Sequence, residues 1–155
     1  VEAWVRHHLR PGHLAAGGGV TDKAVFRFFR DLGEIGVSQL LLCWADHASY
    51  LGPESVERAL SAAAGEPGEP LPRWARGEAG NTIHHLRVGG LLLRRWFRAP
   101  ALTRPTPLLD GNAVMRALRL KPGPEVGEIL RALVEAQAEG EFSTRAGALA
   151  WVKSR

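Results

Sequence analysis

Apolar residues recur along the chain at the three- and four-residue spacing of helices, and no segment shows the strict alternation of a half-buried strand. A stripe of Leu40, Leu41, Trp44 and Ala48 illustrates the pattern in the first half of the chain. The sequence therefore predicts an all-α fold, with helices over residues 1–9, 21–31, 37–51, 53–64, 82–98, 111–118 and 124–139 and a last helix from about 143.

Local signals mark the ends of these helices. Three helices follow a side chain that can accept a hydrogen bond from a first-turn amide: Thr21, Asp110 and Ser143. Proline in a first turn and glycine after a last turn mark other ends, at Pro53, Pro124, Gly33 and Gly140. These signals divide the chain without reference to long-range contacts.

Prolines and glycines are dense between residues 65 and 72, where they disfavour both helix and strand. We therefore expect two helical subdomains in an elongated body and tail. Residues 1–64 would form the first, 65–81 a linker, and 82–155 the second.

Positive charge is concentrated in one segment, because residues 81–105 contain five arginines and no acidic residue. At 100° per residue, the helix over 82–98 places four of these arginines on one side, opposite an apolar side that includes Leu92, Trp96 and Phe97. The four are Arg87, Arg94, Arg95 and Arg98. Guanidinium groups bind phosphate well, so this face is predicted to contact nucleic acid. The alternative is a solvated face, or one paired with the protein's own glutamates.

Four further cations are weaker candidates for the same role. Arg27 and Arg30 lie on one face of the helix over 21–31, beside Lys23, while Arg119 and Lys121 precede the helix that begins at Pro124. The net charge of +4 and the pI near 10.0 favour an anionic partner.

Catalytic chemistry is sparse in these 155 residues. No catalytic residue is predicted, and His8 and Asp46 are the candidate metal ligands. A catalytic metal needs about three protein ligands, so no metal site is predicted. The single cysteine, Cys43, excludes an internal disulfide and indicates a reducing compartment. No apolar run approaches the length of a membrane span.

Four tail motifs carry a family resemblance: residues 107–112 (PLLDGN), 120–127 (LKPGPEVG), 136–141 (AQAEGE) and 148–151 (ALAW). In order and spacing they resemble the tail of bacterial tRNA nucleotidyltransferases, the CCA-adding and poly(A) polymerase family. Residues 5–15, 21–31 and 42–47 look like the closing part of the HD-type helical domain of many such enzymes.

The resemblance implies a cytoplasmic tRNA-binding C-terminal fragment, with the end of an HD-type domain followed by neck and tail. Such a region positions tRNA for 3′-end nucleotide addition. The Mg²⁺ and the CTP or ATP would be bound by a catalytic head outside these residues, and the fragment itself would be inert and without a cofactor. The resemblance does not determine whether the parent adds CCA, part of CCA or poly(A).

Two other functions stay open. One is a residual HD-type phosphohydrolase that uses His7, His8, Asp46 and His47, although Asp46 and His47 stand in the reverse order of the expected dyad. The other is a helical interaction module that forms a homodimer through a face with Gly89, Gly90 and Trp96.

Overall fold

A computed structural model describes residues 10–16 and 19–155 of the chain. This part contains nine helices and no strand, which confirms the all-α prediction. The helix predicted over residues 1–9 lies outside the described residues. The helices are α1 (Arg10–Ala16), α2 (Asp22–Leu32), α3 (Ile35–Ser49), α4 (Pro53–Ala62), α5 (Glu78–Arg98), α6 (Pro100–Thr103), α7 (Gly111–Leu118), α8 (Pro124–Ala138) and α9 (Arg145–Lys153).

Several predicted helix ends are confirmed by their hydrogen bonds. The Thr21 hydroxyl accepts from the Ala24 amide at 3.2 Å, and the Asp110 carboxylate accepts from the Ala113 amide at 2.7 Å. Gly33 ends α2 with a φ of 53° and donates its amide to the Phe29 carbonyl.

Two predicted helix starts are wrong. The N-cap of α9 is Thr144 rather than Ser143, because the Thr144 hydroxyl accepts from the Gly147 amide at 3.1 Å. Helix α5 begins at Glu78 rather than Thr82, since Gly77 with a φ of 56° starts it one turn earlier.

One hydrophobic cluster, the body cluster, is built on α2, α3, α5 and α6. Phe28 and Leu92 are fully buried in it, and the rings of Phe29 and Trp96 pack with centroids 4.6 Å apart. The apolar side of α5 therefore completes the core of the first half of the chain. Phe97 was expected to share that side but is 69% exposed, because it lies 100° around the helix from the buried Trp96.

A smaller hydrophobic cluster includes residues from the N-terminal half of α5. Ala59 of α4, Ala75, Ile83 and Leu86 are buried together, so part of the segment between α4 and α5 packs against α5. The hydrophobic clusters thus follow α5 rather than the expected limits at residues 64 and 82.

The tail is a three-helix unit of α7, α8 and α9. Leu109, Val114, Leu133 and Val152 form its centre, and Val134 of α8 packs against both this cluster and the body cluster. The inward residues of α9 are Ala148 and Val152, which are four apart and therefore lie on one face of the helix.

None of the helices within residues 10–16 and 19–155 combines the length and apolar character needed to cross a membrane.

Candidate nucleic-acid interface

The predicted basic face of α5 is not a uniform exposed surface, because its first arginine is buried. Arg87 is only 5% exposed. Its Nε and Nη2 donate to the Ala62 carbonyl at 3.2 and 3.0 Å, and its Nη1 donates to the Glu69 carbonyl at 2.8 Å. The expectation that Arg87 presents its guanidinium group to solvent is therefore wrong.

The position of Arg87 has a physical reason. Ala62 is the last residue of α4, where carbonyl groups lack helical partners and carry partial negative charge. Gly65 lets the loop approach the guanidinium closely, since a Cβ there would lie 2.9 Å from Arg87 Nη2. Arg87 thus fixes the loop after α4, a role with no signal in the local sequence.

The next two arginines of α5 are half exposed and paired with carboxylates. Arg94 Nη2 donates to both oxygens of Glu66, at 2.8 and 3.0 Å. Arg95 lies 3.4 Å from Asp22 at the start of α2. Exposed ion pairs are weak, so a phosphate group can compete for these two guanidinium groups. Each of them already has a carboxylate partner in the folded chain.

The second predicted basic face, on α2, converges on one glutamate of the tail. Arg27 donates to Glu135 through Nε at 2.8 Å and also through Nη2, and Arg30 Nη1 donates to the same carboxylate at 3.1 Å. Lys23 lies 3.5 Å from Glu135 and 2.6 Å from Glu139. These contacts join α2 to α8.

The charges around Glu135 decide its protonation. Burial by itself would raise its pKa, but the hydrogen bond from Arg27 and the charges of Arg27 and Lys23 outweigh it, so the pKa lies below its usual value. The hydrogen bond to Glu139 raises the pKa of Lys23, and that to Asp31 raises the pKa of Arg30. The shifts of Lys23, Arg30 and Glu135 all favour the charged form of each group.

Three of the predicted RNA-binding cations keep their charge uncompensated. Arg98, Arg119 and Lys121 are exposed, and none forms an ion pair with a carboxylate among the described residues. Arg119 ends α7 in the left-handed conformation, with a φ of 57°. These cations are the best placed of the predicted set to meet phosphate.

Other exposed arginines of the described residues share this property, and sequence reasoning did not single out Arg104, Arg116 and Arg131 among them. Arg104 lies with its guanidinium carbon 4.3 Å from the ring centroid of Trp96. Arg104 could have been selected from the sequence because it lies within residues 81–105, which contain no acidic residue. The contact with Trp96, eight residues away, required the fold.

The metal candidates are not brought together in the described part of the chain. Within residues 10–16 and 19–155, no group of three or more His, Cys, Asp or Glu side chains could hold a metal ion. Asp46 is exposed, and His7 and His8 lie outside the described residues.

His47 has a different environment, because its ring stacks on His85 with centroids 3.7 Å apart. His85 Nδ1 lies 2.8 Å from the Asn81 carbonyl and donates to it in the tautomer that this contact selects. Burial, reinforced by the repulsion from His85, lowers the pKa of His47. The stack therefore favours a neutral His47.

The predicted interaction face is altered as well. Trp96 is buried in the body core, whereas Gly89 and Gly90 line a cavity of about 230 Å³ between α3 and α5. Trp44 lies at the rim of this cavity and is exposed, as are Leu41 and Leu42. Burial also raises the pKa of Cys43 in this cavity wall, so its thiol is protonated.

Comparison with known proteins identifies two partial relatives. The chain is 57% identical over 49 residues to an A-adding tRNA nucleotidyltransferase of Deinococcus radiodurans, which is 32% of this chain and 11% of that enzyme. It is 54% identical over 46 residues to a CC-adding tRNA nucleotidyltransferase of Thermus thermophilus, or 30% of this chain and 11% of that enzyme.

These matches confirm the family resemblance of the sequence over about a third of the chain. The aligned residues cover 11% of the length of each relative. No protein-family model matches the chain. No solved structure matches it either.

Proposed function

We propose that this chain, a partial homologue of tRNA nucleotidyltransferases, is a tRNA-binding C-terminal region of such an enzyme. It would hold tRNA in the cytoplasm while a catalytic head outside these residues adds nucleotides to the 3′ end. The observation that carries the proposal is the identity of 57% and 54% to an A-adding and a CC-adding enzyme. Mg²⁺ and the CTP or ATP are assigned to the head.

The surface charges support RNA as the partner. Arg98, Arg119 and Lys121 are exposed and have no carboxylate partner among the described residues, so phosphate binding breaks no ion pair there. Arg94 and Arg95 can join them by exchanging exposed ion pairs with Glu66 and Asp22 for phosphate contacts. Arg87 is removed from the RNA-binding set because all its described hydrogen bonds are internal.

The experiment compares two halves of a tRNA in a mobility-shift assay at about 50 mM salt. A minihelix of the acceptor and TΨC arms should bind about as well as whole tRNA, because these arms carry the 3′ end to which the head would add nucleotides. An anticodon stem-loop should bind at least several-fold more weakly. Equal binding of both halves would reduce the proposal to nonspecific attraction, and absence of any shift would overturn it.

A charge-reversal pair gives the matched control. Arg119→Glu with Lys121→Glu should weaken minihelix binding, whereas Arg73→Glu with Arg76→Glu should change it little. Both pairs alter the net charge by the same amount, and Arg73 and Arg76 are exposed in the segment between α4 and α5. Equal losses in the two pairs would indicate that only total charge matters.

A second candidate function, a homodimer, rests on the exposed apolar residues of α3. Leu41, Leu42 and Trp44 lie within one turn of this helix and are all exposed. A second copy is the proposed occupant, because a two-fold axis beside α3 would cover the same apolar patch on both chains. Light scattering should show a dimer that Leu41→Ser with Trp44→Ser converts to a monomer, and a monomeric parent chain would dismiss it.

A further inference from the structure

A groove between α2, α6 and α8 combines an apolar floor with a cationic rim. Its volume is about 410 Å³, within the usual range of sites for small ligands. Phe26 and Phe29 of α2 and Leu130 and Val134 of α8 form the floor. The Phe side chains are buried in the body core, while Leu130 and Val134 are partly exposed. The groove thus lies where the tail packs on the body.

Three exposed arginines line the groove: Arg30, Arg104 and Arg131. The charge of Arg30 is balanced by Asp31 and Glu135. Arg104 and Arg131 make no ion pair with any carboxylate in the described part of the chain. Among the residues that the structure describes, Arg131 donates one hydrogen bond, from Nε to the Gly127 carbonyl at 3.3 Å, so its terminal nitrogens can meet an anion.

Arg104 is held against an aromatic ring, because its guanidinium carbon lies 4.3 Å from the ring centroid of Trp96. The ring is itself held in the core against Phe29. An arginine plane that is fixed in this way can stack a second flat group on its open face, as arginines do with unpaired RNA bases.

We propose that this groove binds an unpaired nucleotide of RNA, with the base between Arg104 and the apolar floor and the phosphate at Arg131. This inference rests on the proposed tRNA-binding function and adds a specific site to it. The chemistry requires both a flat apolar ring and an adjacent anion. A structured duplex offers only the anion, since its bases are stacked inside.

Amide chemical shifts of the isotope-labelled chain test the site directly. Titration with AMP should shift the amides of Thr103, Arg104, Leu130 and Val134, which line the groove. Inorganic phosphate alone should leave the amide chemical shifts of Leu130 and Val134 unchanged, because it has no ring to pack on the apolar floor. Shifts that are absent, or that lie elsewhere on the surface, would overturn the proposal.

A pair of variants tests the role of the stacked arginine. Arg104→Ala should weaken binding of a single-stranded RNA of about eight nucleotides roughly tenfold, measured by fluorescence anisotropy. Arg58→Ala is the matched control, because Arg58 lies 4.2 Å over the Trp74 ring in the same manner but lines a different pocket, beside Glu57. Arg131→Ala checks the result without touching a tryptophan. Equal losses in the Arg104 and Arg58 variants would contradict the groove.

The outcomes separate this inference from the proposed function. If the minihelix binds but AMP causes no chemical-shift changes in the groove, the nucleotide site is refuted and the tRNA-binding proposal is retained. If AMP causes these changes but tRNA does not bind, the tRNA-binding proposal is refuted and the nucleotide site is retained. If a short polyglutamate peptide shifted Leu130 and Val134 as AMP does, the site would recognise charge alone, and base recognition would be refuted.

Discussion

Arg87 in the middle of α5 donates two hydrogen bonds to the carbonyl oxygen of Ala62, the last residue of α4. An arginine that sequence reasoning assigned to an RNA-facing surface thereby acts as a cap on a neighbouring helix. The contact changes which experiments are informative, because substitution of Arg87 perturbs the fold before it perturbs any binding surface.

Arg87→Met should destabilise the chain by about 2–3 kcal/mol, since it removes three hydrogen bonds from a charged, buried donor to the carbonyls of Ala62 and Glu69. Urea unfolding followed by circular dichroism measures the change. Arg98→Met is the control, and as an exposed substitution it should stay within about 0.5 kcal/mol of the parent. Similar stabilities for the two variants would contradict the capping role.

Glu135→Gln should reduce stability at neutral pH by about 1 kcal/mol, because it removes the anion that Lys23, Arg27 and Arg30 share. The pKa of Glu135 is depressed in the folded chain, so its stabilisation is present above the unfolded value of 4.5. It is lost as the pH falls from there through the folded pKa. Unfolding free energies at about pH 7 and about pH 3 test this. A gap between parent and variant that persists at low pH would refute the account.

The same Glu135→Gln substitution should strengthen tRNA binding at low salt by several-fold. Loss of the shared carboxylate leaves Arg27 without this anionic partner and Arg30 with Asp31 alone, so phosphate can reach both guanidinium groups more readily. Glu141→Gln is the control for net charge, because Glu141 accepts a hydrogen bond from Trp151 and binds none of these cations in the described structure. An equal gain in both variants would mean that Arg27 and Arg30 do not contact RNA.

His47→Phe should make the chain less sensitive to mild acid. The pKa of His47 is lowered in the folded state, so below about pH 6.5 the unfolded chain takes up a proton that the folded chain resists. Parent stability should therefore fall as the pH drops from about 7 through the folded pKa. Asp46 and Glu78 oppose the shift, and burial with His85 causes it. Thermal unfolding at both ends of this range should show a smaller difference for the variant.

The sequence was sufficient where the deciding interaction is local. Thr21 and Asp110 bond to amides three residues away, so their roles can be predicted from spacing alone. The partners of the arginines cannot be found in this way. Arg27 and Glu135 are 108 residues apart, and a helical wheel that sorts Arg87 with Arg94 contains no information about the end of α4.

The family motifs could be recognised from the sequence alone, whereas the exposed charged surface could not. The family resemblance, confirmed by two relatives over about a third of the chain, did not depend on which arginines are exposed. The predicted basic face on α5 did depend on exposure. Of its four arginines, Arg98 alone is exposed without a carboxylate partner among the described residues. The remaining cations come from α7, its following loop and the groove beside Trp96.

The most direct test of the central claim is the salt dependence of tRNA binding by the unmodified chain, measured by filter retention between about 50 and 200 mM salt. We expect the logarithm of the affinity to fall linearly, with a slope that becomes shallower by about 1 in Arg98→Gln. Retention that is absent at the lowest salt, or a slope near zero, would contradict a phosphate-binding role for this chain.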